Sequence, residues 1–413
     1  MADAPPAAGP HIVVLSSLFP SRVQPGAGLF IRERMFRVGA QLPLAVVAPT
    51  PWFPLQGLLR RWRPGWRPGA PHHESQAGFD VWYPRFLSIP GALKGLDGFF
   101  MALGALPRLW RLQRAGRLDL IDAHFGYPEG DAATRLGRWL GVPVTITLRG
   151  TEPRHAQHAG LRPRLARALQ RASRVIAVSQ SLRALALGLG VAPERAQVVG
   201  NGVDLQRFQP LPRAEARHAL GLPADAPVLV SVGGLVERKG FHRVIELLPA
   251  LRQRFPGLVY LVVGGPSPEG DMGPALRRQV ADLGLADAVR FLGPLPPEHV
   301  RGPLSAADVF VLATRNEGWA NVFLEAMACG LPVVTTEVGG NAEVVGHAAL
   351  GCLVPFGDAG RLRQAIEQAL TTPWDRAAIR RHAEEHTWDR RVDELVALFR
   401  QLHERAAGPA GPV

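Results

Sequence analysis

Cysteine is nearly absent from this chain: 413 residues hold two, Cys329 and Cys352. So few thiols argue against a disulfide scaffold and fit a reducing compartment. Lysine is almost as scarce, since 45 of the 47 cationic side chains are Arg and only Lys94 and Lys239 are Lys. No apolar run reaches the roughly 18 residues that a spanning helix needs. The opening MADAPPAAGP has no signal-peptide pattern and reads as a flexible lead over residues 1–10. The expectation is a soluble or peripheral cytoplasmic protein. There is no G-x-G-x-x-G, so a dinucleotide site is not indicated. No helix-turn-helix, zinc-finger or RNA-binding signature appears, so nucleic acid is not an expected partner. Nor is there a D-x-D pair of carboxylates for a divalent ion.

What is present is an ordinary globular composition, 47% hydrophobic and 20% charged. The length exceeds what one core usually serves, so two domains are expected. Charge is divided unevenly between the halves. Residues 1–200 carry 25 Lys+Arg against 11 Asp+Glu, while residues 201–413 carry 22 against 24, which together give the net +12. A genome's taste for Arg explains Arg over Lys but not this asymmetry. A basic field on one half favours an anionic partner, and with no spanning segment an anionic membrane surface suits it best. Residues 51–75, PWFPLQGLLRRWRPGWRPGAPHHES, add three Trp and four Arg in a stretch expected to be irregular and exposed, as an interfacial segment would be. From Lys94 to Arg117 apolar and basic residues alternate, and a solvated helix with one core face is the alternative to membrane contact there.

The organising stretch is DVFVLATRNEGWANVFLEAMACGLPVVTTEVGG, residues 308–340. Val309 to Ala313 reads as a buried strand, TRNEG as a turn, Asn321 to Cys329 as a helix stopped by Gly330 and Pro332, and Val333 to Thr336 as the next strand. Such a βαβ unit binds ligands beyond its strands' carboxyl ends, against helix N-termini. Glu317 and Glu325 stand there eight positions apart, the second among apolar neighbours where a charge is costly unless something binds it. Further strands are expected at 11–19, 44–48, 119–124, 142–148, 174–179, 227–235, 260–263 and 289–292. Gly26 and Gly28 lie in the loop after the first, where glycine allows close backbone approach, or forms a plain surface turn. His124 ends another strand and is expected to face a cleft. Lys239 and Arg238 follow PVLVSVGGL, where a cation is well placed for phosphate. The helix beginning at Trp388 is amphipathic, with Val392, Leu395, Leu398 and Phe399 on one face.

The string EGWANVFLEAMACGLPVVTTEVGGNAEVV resembles the signature of family 4 retaining glycosyltransferases of the GT-B fold, with Glu317 and Glu325 as its E-x7-E pair. The resemblance spans about residues 11–400. DLIDAHF is similar to the family's H-x-H segment, Asp122 replacing the first His; TLRGTE, carrying Arg149, resembles its TLRGSD turn; NGVDLQRF matches its interdomain linker. The family pattern G-R-L-x-x-x-K-G is met with Gly234 in place of its Arg, a departure for which Arg238 or another cation compensates.

The resemblance implies two Rossmann-like α/β domains with parallel sheets, facing across a cleft. They are expected at 11–205, for the acceptor, and 212–385, for the nucleotide sugar, with a crossover helix at 386–405 returning to the first. The implied reaction moves a sugar from a nucleotide diphosphate sugar to a lipid-linked or saccharide acceptor in surface polysaccharide synthesis, on the inner face of the cell membrane. By resemblance Lys239 neutralises the diphosphate, Glu317 holds a sugar hydroxyl and Glu325 the ribose hydroxyls. Gly318, Trp319, Ala320 and Asn321 offer backbone to phosphate or sugar oxygens. His124 positions the sugar or shares the acceptor's proton, and Arg149 meets an anionic group. Gly26, Gly28, Gly234 and Arg238 complete the donor contacts. No cofactor and no metal are expected. Two other readings stay open: a catalytically silent binding module, for which Gly234 speaks, and a nucleotide-sugar 2-epimerase, against which the E-x7-E string speaks.

Overall fold

The structure, a computed structural model, describes residues 9–54, 56–62, 69–267 and 269–407. It divides into two compact units, residues 1–200 with 389–413 and residues 201–388.

In the first unit the strands are β1 (Ile12–Leu15), β2 (Leu44–Val47), β3 (Thr50–Trp52), β4 (His73–Gln76), β5 (Phe79–Trp82), β6 (Arg85–Leu87), β7 (Leu120–His124), β8 (Val144–Leu148), β9 (Arg174–Ala177) and β10 (Ala196–Val198). Eight of them form one sheet in the order β10-β9-β8-β7-β1-β2-β5-β4, and β3 pairs with β6 apart from it. All neighbours run parallel except β4 against β5. The central strands are β-branched runs buried on both faces, as a helix-covered parallel sheet requires. Helix Trp388–Ala407 packs Val392, Leu395, Leu398 and Phe399 into the core beside Ile12, Val14 and Ile31. Its apolar stripe therefore belongs to the first unit, although the preceding 188 residues form the second.

The second unit holds β11 (Val228–Val232), β12 (Val259–Val263), β13 (Val289–Gly293), β14 (Val309–Leu312), β15 (Val333–Thr336) and β16 (Gly351–Val354). They form a parallel sheet in the order β13-β12-β11-β14-β15-β16. Numbered from β11, this is 3-2-1-4-5-6, the doubly wound order whose ligands sit where the winding reverses, between β11 and β14.

One stretch departs from the sequence reading. The described part of 51–75 is not wholly irregular, because β3, the helix Gln56–Trp62 and the start of β4 occupy much of it; residues 55 and 63–68 lie outside the described residues. The helix after β7 begins at Asp131, following a turn over Gly126–Gly130 in which Tyr127 is extended, φ −149° and ψ 136°. The division between units falls at Gly200/Asn201. Asp308 sits at a helix–strand junction and accepts from Val228 N at 2.8 Å, tying the starts of β14 and β11 together.

Candidate active site

The reversal point of the second sheet gathers a compact charged group. β11 runs into a tight turn ending in Glu237–Lys239, and Gly240 then opens helix Phe241–Arg254. Gly240 has φ 76°, and a Cβ there would stand 2.0 Å from the Ala313 carbonyl oxygen. Only glycine lets this turn press against the end of β14. Lys239 Nζ consequently reaches Glu317 Oε1 at 2.5 Å, and Arg238 Nη1 reaches the same oxygen at 3.3 Å. Thr314 Oγ1 donates to it as well, at 3.1 Å. Arg238 also forks onto Glu269, at 2.6 and 2.7 Å. Side-chain exposure is 8% for Glu317, 13% for Lys239 and 33% for Arg238, so the carboxylate is enclosed and the cations grade toward solvent.

Beyond Glu317 the chain enters helix Asn321–Ala328 through Ala320, which supplies no side-chain cap. Phe323 N donates to the Ala320 carbonyl at 3.1 Å, which leaves the amides of Asn321 and Val322 as those that can meet an anion or hydroxyl. Asn321 Oδ1 accepts from Asn201 Nδ2 at 2.8 Å. Trp319 Nε1 is buried without a hydrogen-bond partner among the described residues. Glu325, about one turn along, is half-buried. Gly234 has no special φ, and a Cβ there would stand 3.1 Å from Ser267 Cβ.

The corresponding place in the first sheet lies between β1 and β7, and its polar side chains are buried. His124, expected to face a cleft, is wholly buried at the carboxyl end of β7. Its Nδ1 accepts from the Arg149 guanidinium, at 3.2 Å from Nε and 2.9 Å from Nη2. The ring proton is therefore on Nε2, which stands 3.1 Å from Asp122 Oδ2 without the alignment of a hydrogen bond. Burial pushes His124 down to about 4, against the opposing pull of Asp122, so the imidazole is neutral near pH 7. Burial alone would raise the Asp122 carboxyl, but His124, a hydrogen bond from Thr145 and the charge of Arg34 hold it below the usual range. Arg149 is half-buried, with its guanidinium 5.4 Å from the Phe30 ring centre.

Two further buried carboxylates stand nearby. Glu152 accepts from the amides of Gly126, Arg149 and Gly150 at 3.0, 3.2 and 2.7 Å, which fixes the turn carrying Arg149. Glu129 accepts from Ser17 through both amide and hydroxyl. Burial raises Glu129 to about 7. Gly28 has φ 67°, and a Cβ there would lie 2.3 Å from the Leu18 carbonyl, so the fold itself requires glycine. Gly26 meets nothing within 4 Å.

Thr314, Glu269, Asn201, Glu152 and the Ser17–Glu129 pair were not singled out from sequence. Glu129 and Ser17 are 112 residues apart, and Asn201 and Asn321 are 120 apart. No local spacing could have joined them.

The geometry now meets known proteins. The family model described as Glycosyl transferases group 1 matches residues 212–386, and the model Glycosyltransferase Family 4 matches residues 64–207. The putative teichuronic acid biosynthesis glycosyltransferase TuaC of Bacillus subtilis is 31% identical over 369 residues, 87% of this chain and 88% of that protein. The chain is a family 4, group 1 glycosyltransferase. A D-inositol 3-phosphate glycosyltransferase of Saccharomonospora viridis is 39% identical over 228 residues, a match spanning 53% of each chain and so about half that relative's length. Among solved structures, HepE of Anabaena in complex with UDP and glucose has a TM-score of 0.71 at 23% identity, covering 94% of this chain and 99% of that one. The fold of this glycosyltransferase is GT-B, and its E-x7-E string lies where the second sheet reverses its winding.

Proposed function

We propose that this glycosyltransferase transfers a sugar from a nucleotide diphosphate sugar, with retention at the anomeric carbon, to a lipid-linked or saccharide acceptor of a surface polysaccharide. One observation carries the reading: Lys239 and Arg238 converge on Glu317 beside the open amides of helix Asn321–Ala328. As the sugar departs, negative charge grows on the diphosphate, and preorganised cations and amides stabilise it. The ammonium of Lys239 has donors for both Glu317 and a phosphate oxygen. Glu317 takes a sugar hydroxyl, Glu325 the ribose hydroxyls, and the backbone from Gly318 to Asn321 the remaining oxygens. The buried indole N–H of Trp319 gains an acceptor in the bound donor, which supports the assignment. In the first unit Arg149 meets an anionic group of the donor, with the neutral ring of His124 orienting it. Attack on the donor's own leaving-group face needs no protein nucleophile. The protein cations make a divalent ion unnecessary.

The exposed Leu93, Leu103, Trp110 and Trp139, among Arg111, Arg114 and Arg138, favour an anionic membrane surface as a further partner of the first unit. A silent nucleotide-sugar-binding module is the second reading, favoured by Gly234 where the family carries Arg. One experiment separates them: thermal stabilisation by UDP, GDP and ADP and their sugars with and without EDTA, followed by acceptor-dependent turnover. The transferase reading expects a shift with one nucleotide, indifferent to EDTA and lost in Lys239→Ala, together with turnover. A shift without turnover favours the silent module, and no shift with any nucleotide overturns the donor assignment.

A further inference from the structure

Within the second unit, at the other end of helix Asn321–Ala328, lies a cavity of about 530 Å³. That helix is eight residues and about 12 Å long, so the cavity is separate from the group around Glu317. Pockets for small molecules span about 300–1,000 Å³. The lining has two halves: Leu211, Cys329 and Ala377 are apolar, and Arg213, Arg376 and Arg380 bring guanidinium groups. These Arg side chains are 48%, 38% and 27% exposed, open enough to meet a solute.

Charge is out of balance here. Asp308 faces Arg213, Arg217 at 2.9 Å and Arg376 at 3.7 Å, three guanidiniums against one carboxylate. Arg380 is paired with Glu384 at 3.0 Å and Asp225 also acts on Arg217, so the surplus is one positive charge. The unit as a whole leans the other way, with 18 Lys+Arg against 20 Asp+Glu over residues 201–388. Arg376 and Arg380 are four apart on helix Arg376–Glu384, a like-charge spacing that is unfavourable without a counterion. Burial and the neighbouring charges of Arg213 and Arg217 lower the Arg376 pKa against the pull of Asp308, so its charge is under-compensated. Each guanidinium has five N–H donors, more than the one or two protein acceptors described for it.

We infer that this cavity is a second ligand site, taking a small organic phosphate monoester whose dianion lies on Arg213, Arg376 and Arg380 and whose apolar body lies on Leu211 and Ala377. Three guanidiniums lining one cavity with a positive surplus favour an anion, and guanidinium forks suit phosphate oxygens. A bare phosphate leaves the apolar half of the cavity unused.

The test is calorimetric titration of the full chain with phenyl phosphate, inorganic phosphate and phenol. Phenyl phosphate is expected to bind about tenfold tighter than inorganic phosphate, and phenol not at all at the same concentration. Arg376→Gln should weaken phenyl phosphate about tenfold. Ala377→Trp, which keeps every Arg and fills the cavity, should weaken it as much and leave the UDP response unchanged. Lys239→Ala should leave phenyl phosphate binding intact. Binding lost in Lys239→Ala but kept in Ala377→Trp places the phosphate at the donor group and overturns the inference. Equal affinity for inorganic phosphate overturns the role of the apolar half, and no heat with phenyl phosphate overturns the site.

Discussion

The two units place polar side chains at the same point of similar sheets and treat them in opposite ways. Between β1 and β7, Asp122, His124 and Glu129 are buried and matched to Arg34, Arg149, Thr145 and Ser17, with Glu152 buried beside them. Between β11 and β14, Glu317 is enclosed, but Lys239, Arg238 and Glu325 retain exposure. A buried charge is bound to its partners by the cost of leaving it alone. A partly exposed one can exchange a partner for a ligand at small cost. The first network therefore fixes a shape behind the half-buried Arg149, whereas the second group can change partners at less cost.

The sharpest way to break this contrast is Asp122→Ala. It strips the carboxylate from Arg34 and His124, and a stability loss of about 3–5 kcal/mol is expected in urea unfolding followed by circular dichroism. If the loss is no greater than in Lys239→Ala, the contrast fails. Lys239→Ala should act on chemistry instead. Arg238 and Thr314 still satisfy Glu317, so folding changes little, while kcat/KM falls by about 100-fold or more, as when one stabilising donor is removed from a transition state. Retained turnover would remove Lys239 from the site.

Acidity offers a third handle. Burial raises Glu129 from 4.5 to about 7. The folded state then holds this proton more tightly than the unfolded state, so the group's stabilisation is complete below about pH 4.5 and is lost as pH rises to about 7. The change is about 3 kcal/mol. His124, depressed to about 4, acts oppositely, adding stability as pH rises from about 4 to 6.5. The measurement is therefore a difference: Glu129→Gln should gain on wild type as pH climbs from 4.5 to 7.5, and a pH-independent difference would show that Glu129 does not titrate there. The smallest effect belongs to Glu325→Ala. Half-buried Glu325 should leave the melting temperature unchanged and raise the donor KM about tenfold, the worth of one charged hydrogen bond.

Much of the second unit was legible from sequence because its signals are local. The β14 and β15 spans, the helix from Asn321 and its stop near Gly330 follow from apolar runs and breakers within some thirty residues. The stripe on helix Trp388–Ala407 was equally readable, since 3.6-residue periodicity needs no partner to be seen. The burial of His124 was not, because its position at a strand end says nothing about what packs against it. One partner is Arg149, twenty-five residues away, held by a turn whose amides converge on Glu152.

What the sequence by itself determined is ten of the sixteen strands among the described residues, β1, β2, β7 to β9 and β11 to β15, the helices from Asn321 and Trp388 and the E-x7-E string, because apolar period, turn residues and motif spacing act over short stretches of chain. Only the tertiary structure decided that Lys239 and Arg238 share Glu317, that the first unit's acids are buried and paired, and that three arginines rim a cavity beyond Cys329. Charge pairing and burial depend on which strands lie side by side. That order is fixed by packing the whole sheet, which joins residues 70 to 120 positions apart.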